Sequence, residues 1–378
     1  MTEQLPFRLH HALIVLEDYE LQQLPLDLFI SNYFRAHKAL GSKDRGAIAE
    51  SVYAVIRWRT LLDHVSKTPY TWEKRVANLE NPLFPEWIKD PSIPAHIRLS
   101  FPICLLDHIE RSHGIEKAEE LCLISNYPAP TTIRVNTIKT TRDQLFTKWQ
   151  SLYSISPCKY SENGITFQKK ISLFSLPEFR DGLFEMQDEG SQALSYLVQA
   201  QPGQQVLDYC GGSGGKTLAF APQMQGKGQI FIHDIRKHAL MEAQKRLRRA
   251  GIQNAQTVPE NDPRLKGMKK KMHWVLVDAP CTGTGTMRRN PDMKWRFTDE
   301  TLPRLLGQQR TIFEKALSYL RPDGKIVYGT CSILREENEE QVAHFMKTYD
   351  LEMVGSPFQS LPTHGGMDGF YGVVLQKR

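Results

Sequence analysis

The sequence has no long apolar run. The longest one near the N-terminus, residues 12–16, is too short for the hydrophobic region of a signal peptide, and acidic residues follow it closely. No stretch approaches the roughly 20 apolar residues that cross a bilayer. We therefore expect a cytoplasmic protein that has no membrane partner.

Cysteine is sparse, and its spacing does not suggest a metal site. No two cysteines form a Cys-x-x-Cys pair, which argues against a zinc ribbon, so we expect no metal. In a reducing cytosol the six residues should be thiols. They are Cys104, Cys122, Cys158, Cys210, Cys281 and Cys331. The first three have no chemical motif beside them and are interpreted as small buried hydrophobic residues.

Charge of one sign is only slightly in excess. The formal net charge is +6, with 24% charged and 40% hydrophobic residues, which is ordinary for a globular protein. This balance is compatible with a polyanionic partner but is weak evidence for one. The 378 residues suffice for two or three domains, and they contain no internal repeat and no low-complexity tract.

The N-terminal third is predicted to be helical. Apolar residues recur at helical spacing, as at Ile48, Val52, Val55 and Ile56. We predict helices over residues 26–40, 43–65, 97–109 and 115–124, with residues 66–95 as a connection. The first predicted domain is therefore an all-helical unit over residues 1–125.

The remaining chain is predicted to be α/β in two parts. Residues 126–190 hold two predicted strands, 131–135 and 164–167, around a helix over 141–152, and form a small subdomain. Residues 191–378 alternate strands with helices, which indicates a mostly parallel sheet of the Rossmann type. Its predicted strands are 205–209, 229–233, 273–277 and 325–328, and its clearest helices are 237–250 and 301–320.

A glycine-rich segment, residues 206–217, runs from a predicted strand into a predicted helix and indicates a cofactor site. One candidate cofactor is a nucleoside triphosphate, because Gly215-Lys216-Thr217 fits the end of a P-loop. Cys210, however, stands where that motif requires its first glycine. The other candidate is a nucleoside cofactor such as S-adenosylmethionine. Asp234 follows the next predicted strand, where an acid would bind ribose hydroxyls.

Two cysteines follow predicted strands of the same domain. Cys281 lies in Asp278-Ala279-Pro280-Cys281 and Cys331 in Thr330-Cys331-Ser332. Ligands of open α/β sheets bind at the carboxyl ends of the strands, so both thiols should lie near the glycine loop. A thiolate can add to carbon-6 of cytosine and so make carbon-5 nucleophilic toward a methyl donor. Asp278 is placed to stabilise charge at ring nitrogen N3.

These segments resemble motifs of the Fmu/Sun, or RsmB-type, RNA 5-methylcytosine methyltransferases. Residues 208–217 resemble Asp-x-Cys-Ala-Ala-Pro-Gly-Gly-Lys-Thr, 278–285 resemble Asp-Ala-Pro-Cys-Ser-Gly-Thr-Gly, and 328–332 resemble Tyr-Ser-Thr-Cys-Ser. Residues 133–136, 187–192, 289–295 and 336–339 also resemble segments of the family. The N-terminal region resembles a NusB-like extension, and residues 126–190 resemble an RNA-recognition-like subdomain.

The resemblance implies roles for individual residues. Cys331 would be the nucleophile, and Cys281 would assist breakdown of the covalent adduct. Cys281 remains the rival nucleophile, since in DNA cytosine methylases that residue follows a proline. The implied contacts to S-adenosylmethionine are Cys210, Gly211, Gly212, Ser213, Gly214, Gly215, Lys216, Asp234, Asp262 and Asp278. Gly211-Gly212-Ser213 replaces Ala-Ala-Pro, which should make this loop more flexible, and the surroundings of Asp262 match the family only loosely.

The expected substrate is RNA, and the chain is expected to be a monomer. Arg288 and Arg289 directly follow the Cys281 motif and are predicted to contact RNA. Residues 245–249 are also basic, but a solvated helix face is the preferred interpretation there. The target base must leave its stack to reach a thiol. The N-terminal resemblance favours small-subunit ribosomal RNA over transfer RNA.

A hypothesis of another class remains. The chain could be a P-loop-like NTPase or a non-catalytic RNA-binding factor, because Gly215-Lys216-Thr217 and the strand before Asp278 partly fit a nucleotide site. The cysteine at position 210 and the otherwise unexplained Cys331 motif argue against this hypothesis.

Overall fold

The computed structural model describes residues 6–22 and 24–378. The chain divides into two compact units. One contains the described residues through Pro128 together with Thr286–Asp299, and the other contains Ala129–Gly285 and Glu300–Arg378. Within the described ranges, every helix is too short or too polar to cross a bilayer.

The first unit is helical, which confirms the prediction for the N-terminal region. Its core is a cluster of buried aliphatic and aromatic side chains that includes Leu16, Val52, Val55 and Leu62, each 0% exposed. The helices are α1 Phe7–Glu20, α2 Leu26–Ala36, α3 Ser42–Arg57, α4 Arg59–Val65, α5 Trp72–Leu79, α6 Phe84–Trp87, α7 Ala95–Arg98, α8 Ile103–His113 and α9 Ile115–Ser125. The likeness to NusB stays a prediction.

Three expectations for this unit were wrong in detail. Residues 66–95, predicted to be a connection, contain α5 and α6. The helix predicted over 43–65 is interrupted at Trp58, and the one predicted over 97–109 is interrupted before Pro102. Ser100, just after α7, has a positive φ of 57°, which a right-handed helix cannot accommodate. Proline then disfavours a helical conformation in the residue before it, so α8 begins anew after Pro102.

A later segment of the chain returns to the helical unit. Lys294 donates from Nζ to the carbonyl oxygen of Arg57 at 2.6 Å, and Trp295 donates from Nε1 to that of Ile56 at 2.8 Å. Asp292 accepts the backbone N–H of Leu26 at 3.2 Å. These bonds satisfy groups at the ends of α3 and α2 that have no partner inside their helices. Thr286–Asp299 therefore groups with the helical unit, although it falls within residues 191–378, the third predicted domain.

The second unit begins with a small antiparallel sheet packed on a helix. Its strand order is β2-β3-β1-β4. The strands are β1 Thr131–Val135, β2 Ile155–Pro157, β3 Gly164–Phe167 and β4 Phe184–Met186, and the helices are α10 Arg142–Trp149 and α11 Pro177–Arg180. Thr141 and Gln144 form a capping box at the start of α10, and Trp149 fills the core below the sheet.

The rest of this unit is one large mixed sheet with helices. The strands are β5 Gln205–Asp208, β6 Gln229–Asp234, β7 Ala255–Pro259, β8 Met272–Asp278, β9 Leu320–Thr330, β10 Leu351–Met353, β11 Phe358–Ser360 and β12 Phe370–Lys377. The helices are α12 Glu189–Ser195, α13 Gly215–Phe220, α14 Lys237–Ala250, α15 Arg264–Met268, α16 Thr301–Leu317 and α17 Glu339–Tyr349. The sheet order is β10-β12-β9-β8-β5-β6-β7, with β11 beside β12.

The strands from β9 to β7 are parallel, which confirms the predicted Rossmann-type sheet. The chain leaves β5 for β6 on one side and later returns to β8 on the other side. This reversal makes a crevice at the carboxyl ends of β5 and β8, the usual ligand site of such sheets. β12, β10 and β11 are antiparallel and were not predicted.

Candidate active site

Three loops that are distant in sequence begin at one edge of the large sheet. β8 pairs with both β5 and β9, with Asp208 opposite Leu276 and Asp278 opposite Gly329. Because these strands are parallel, their carboxyl ends lie at the same edge. The glycine loop after Asp208, the loop with Cys281 and the loop with Cys331 therefore converge, as expected.

The two cysteines of these loops are in contact. The Sγ atoms of Cys281 and Cys331 are 3.4 Å apart, a distance at which one thiol can donate a hydrogen bond to the other sulfur. This hydrogen bond, together with burial, raises the pKa of Cys281 well above its ordinary value. The two sulfurs are therefore in direct contact, and ionisation of Cys281 is disfavoured in this position.

Lys216 connects the glycine loop to the cysteine loops. Its Nζ donates to Oδ2 of Asp278 at 2.5 Å, and its side chain is only 11% exposed. Burial alone would lower the pKa of Lys216, but the carboxylate of Asp278 and the thiol of Cys331 leave that pKa raised. A permanent ammonium group thus lies where it can stabilise negative charge on Cys331. Lys216 was expected only as a cofactor contact.

Asp234 and the glycine loop form the cofactor side of the crevice. Gly212 has a positive φ of 53°, and its N–H donates to Oδ2 of Asp234 at 2.9 Å. Although burial acts to raise the pKa of Asp234, hydrogen bonds from Arg236 and Gly212 keep that pKa below its ordinary value. A Cβ at Gly212 would meet only the Arg236 guanidinium at 3.4 Å and Asp234 at 3.9 Å, so the space above this glycine is open.

Asp208 has one carboxylate oxygen that lacks a partner. Oδ2 accepts the hydroxyl of Thr217 at 2.7 Å, whereas the buried Oδ1 accepts no hydrogen bond from any described residue. Burial raises the pKa of Asp208 to about 7. A buried carboxylate oxygen with no donor is suited to a ligand that carries an N–H group. Together with the open glycine and Asp234, it fits an adenosyl amino acid.

Asp262 lies beyond the end of β7, the strand next to β6. Its hydrogen bonds come from Arg264, which lowers the pKa of Asp262 to about 2. It is therefore at the expected edge of the sheet, but it is not hydrogen-bonded to the glycine loop. Its role in cofactor binding stays a prediction.

The structure bears on the predictions for the basic residues. Arg288 is 2% exposed, so its guanidinium presents little surface to a phosphate, and its contact with RNA stays a prediction. Arg289 is partly exposed, and its predicted contact remains open. Arg246 and Arg249 do not form a solvated helix face, since both bind the buried Glu185, at 3.0 Å and 2.6 Å.

A buried polar cluster that was not predicted from the sequence lies beside the cysteine loops. Its centre is Glu337, which is 0% exposed and accepts hydrogen bonds from Thr282 and Gln309. Glu337 belongs to the segment 336–339 that resembles the family, which was the only signal for it. Its partners come from two other parts of the chain, so spacing could not reveal them.

Comparisons with known proteins agree with this geometry. The family described as 16S rRNA methyltransferase RsmB/F matches residues 195–375, and the RsmF/B-like ferredoxin-like domain matches residues 101–173. The chain is 32% identical over 302 residues to ribosomal RNA small subunit methyltransferase B of an Enterobacter species. It is 30% identical over 289 residues to the Proteus mirabilis protein of the same name. Each alignment covers 74% of this chain and 67% of the relative.

A solved structure shows the same fold. The crystal structure of a methyltransferase homologue from Pyrococcus horikoshii superposes with a TM-score of 0.66 at 25% identity. The superposition covers 76% of this chain and 100% of the other. The fold match therefore extends well beyond the three motifs of the crevice.

Proposed function

The chain belongs to the RsmB/F family of 16S rRNA methyltransferases, and on that basis we propose that it methylates carbon-5 of a cytidine in small-subunit ribosomal RNA through a covalent cysteine adduct. The observation that carries the proposal is the contact between the sulfurs of Cys281 and Cys331 beside the Lys216–Asp278 pair. Family membership argues against the NTPase and the non-catalytic hypotheses. We further propose that it acts in the cytoplasm as a monomer.

The residues of the crevice can carry out the reaction in order. The Cys331 thiolate adds to carbon-6 of the cytosine, which consumes the carbon-5–carbon-6 double bond and leaves an enamine that is nucleophilic at carbon-5. Asp278, held by Lys216, stabilises the ring at N3 as charge develops. After carbon-5 has accepted the methyl group, a base takes the proton of carbon-5, the thiolate of Cys331 leaves, and the carbon-5–carbon-6 double bond is restored; Cys281 would assist this breakdown of the adduct.

We propose S-adenosylmethionine as the donor, which supplies a methyl group activated by a sulfonium. The free oxygen of Asp208 would accept its ammonium group, and Asp234 would accept the ribose hydroxyls. Residues Cys210 to Lys216, Asp262 and Asp278 would be further contacts of the cofactor. Because Asp234 is already bonded to Arg236, ribose binding requires the exposed Arg236 side chain to yield at least one bond.

Replacement of each cysteine tests the covalent step. Cys281→Ala should retain the attacking thiol but release the product slowly, and should accumulate a protein–RNA adduct with S-adenosylmethionine and 16S RNA. Cys331→Ala should be inactive and form no adduct. Denaturing gel electrophoresis of labelled RNA measures both. Full activity of Cys331→Ala, or an adduct that depends on Cys281, would exclude Cys331 as the nucleophile.

The target can be found by bisulfite sequencing of total RNA from cells that lack the gene. Loss of signal at one or a few ribosomal cytosines would support the proposed substrate. Loss of signal in transfer RNA alone would contradict it and support the transfer RNA alternative.

A further inference from the structure

Glu337 is a buried carboxylate whose hydrogen-bond partners among the described residues are all uncharged. It ends a short 3-10 turn, Arg335–Glu337, before α17. Its Oε1 accepts the backbone N–H of Thr282 and Nε2 of Gln309, both at 2.9 Å. Its Oε2 accepts the hydroxyl of Thr282 at 2.5 Å. Burying a carboxylate with only neutral donors is costly: burial raises the pKa of Glu337, although hydrogen bonds with Ser332, Thr282 and Gln309 oppose this shift. Its position next to Cys281 therefore requires an explanation.

The hydrogen bonds around Glu337 join the two cysteine loops. Thr282 directly follows Cys281, and Ser332 directly follows Cys331. Thr284 bridges the loops, because its Oγ1 lies 3.0 Å from Oγ of Ser332 and accepts the backbone N–H of Ile333 at 2.9 Å. Thr282 Oγ1 is 3.4 Å from the same serine oxygen. The separation of the two sulfurs is therefore set by a network with Glu337 at its base.

The two sulfurs of this pair face charges of opposite sign. The carboxylate of Glu337 is among the causes that raise the pKa of Cys281, after the hydrogen bond to Cys331 and burial. Cys331 interacts electrostatically with the ammonium of Lys216, which is paired with Asp278. Tyr328 also faces this cluster, and its hydroxyl donates to the backbone carbonyl of Glu337 at 2.8 Å.

We propose that Glu337 is a positioning residue that holds the two sulfurs in contact through the Thr282 side of the network and places a negative charge on the Cys281 side of the pair, so that Cys331 is the sulfur that attacks. The inference rests on the proposed function, because only a reaction with one attacking thiol requires the two to differ. Glu337 acts through Thr282 and through its charge, and it touches neither RNA nor cofactor in this scheme.

The test measures thiol ionisation without methyl transfer. In full-length protein that carries Cys331→Ser, the pH dependence of iodoacetamide alkylation at Cys281 is followed by peptide mass spectrometry, with and without Glu337→Gln. Removing a nearby buried negative charge should lower the midpoint for Cys281 by about one pH unit. Glu340→Gln, an exposed change at the start of α17, is the matched control and should leave the midpoint unchanged.

A second variant separates charge from geometry. Glu337→Asp keeps the charge but shortens the side chain, so the Cys281 midpoint should stay near that of the parent. With Cys331 present, Glu337→Gln should lower kcat at least tenfold and leave the KM for RNA unchanged. Equal midpoints in Glu337→Gln and its parent, or equal shifts in the Gln and Asp variants, would overturn the inference. An absence of adduct in Cys281→Ala would instead overturn the proposed function.

Discussion

Asp208 lies buried at the end of β5, with one oxygen bonded to Thr217 and the other without a partner among the described residues. Burial raises its pKa to about 7, far above the roughly 3.9 of an exposed aspartate. Ionising this buried carboxylate destabilises the folded state, so stability alone does not explain an aspartate here. Binding of a cationic ligand would offset this destabilisation, and we therefore interpret Asp208 as a ligand-binding residue.

This position should have a measurable pH signature. Because the pKa is higher in the folded chain, the folded state holds an extra proton between about pH 4 and pH 7, and the free energy of unfolding should fall as the pH rises through that window. Asp208→Asn should remove this slope and raise the free energy of unfolding at pH 8 by on the order of 3 kcal/mol. Urea unfolding at pH 5 and pH 8 measures both. Identical slopes in the two proteins would contradict the shifted pKa.

At the scale of elements, helix α14 supports the glycine loop. The sequence departs from the family at Ser213 and suggests a more flexible loop. In the structure, Nη1 of Arg246 donates to both the carbonyl oxygen and the hydroxyl of Ser213, at 3.0 Å and 2.8 Å. Nε of the same arginine donates to Glu185 of β4 at 3.1 Å. A charged side chain from α14 thus holds the loop at the position where the family has a proline.

Arg246→Gln should therefore weaken cofactor binding. We expect the Kd for S-adenosylhomocysteine to rise about tenfold and the protein to lose about 2 kcal/mol of stability, because charge-assisted hydrogen bonds of a buried pair are removed. Lys245→Gln changes the neighbouring residue, whose side chain is 68% exposed, and should alter neither quantity. Isothermal titration calorimetry and thermal unfolding measure these effects. Similar results for the two variants would show that Arg246 does not support the loop.

At the scale of the whole molecule, the segment Thr286–Asp299 has its partners in the helical unit. Its Lys294 is 1% exposed and donates hydrogen bonds to Arg57 and Asn126. Its Trp295 packs on the helical core. Burial lowers the pKa of Lys294 well below its ordinary value. Such a residue is stable only where its acceptors are present.

A chain that begins at residue 129 should therefore expose this segment. We expect trypsin to cut it rapidly at Arg288, Arg289, Lys294 or Arg296, whereas the full-length chain should resist cleavage there. Limited proteolysis followed by mass spectrometry identifies the cut sites. Equal resistance of the two chains would mean that the segment does not depend on the helical unit.

Much of the local structure, and the meeting of the three loops, could be predicted from the sequence. The sequence pattern predicted β1, β3 and α14 with the bounds that the structure shows. Because the carboxyl ends of parallel strands share one edge, the glycine loop, Cys281 and Cys331 could be assigned to one crevice from the sequence alone. These features follow from patterns within about 15 residues and from the general geometry of parallel sheets.

Only the tertiary structure decided the contacts among residues far apart in the chain. These contacts depend on pairings across 50 or more positions, or on burial by distant segments: the 3.4 Å sulfur contact, the burial of Arg288, the bond of Arg246 to Glu185 and the bond of Glu337 to Thr282. The physical reason is that charge and hydrogen-bond partners are set by three-dimensional neighbours. A motif can show that a thiol lies in the crevice, but its neighbours determine which thiol holds the proton.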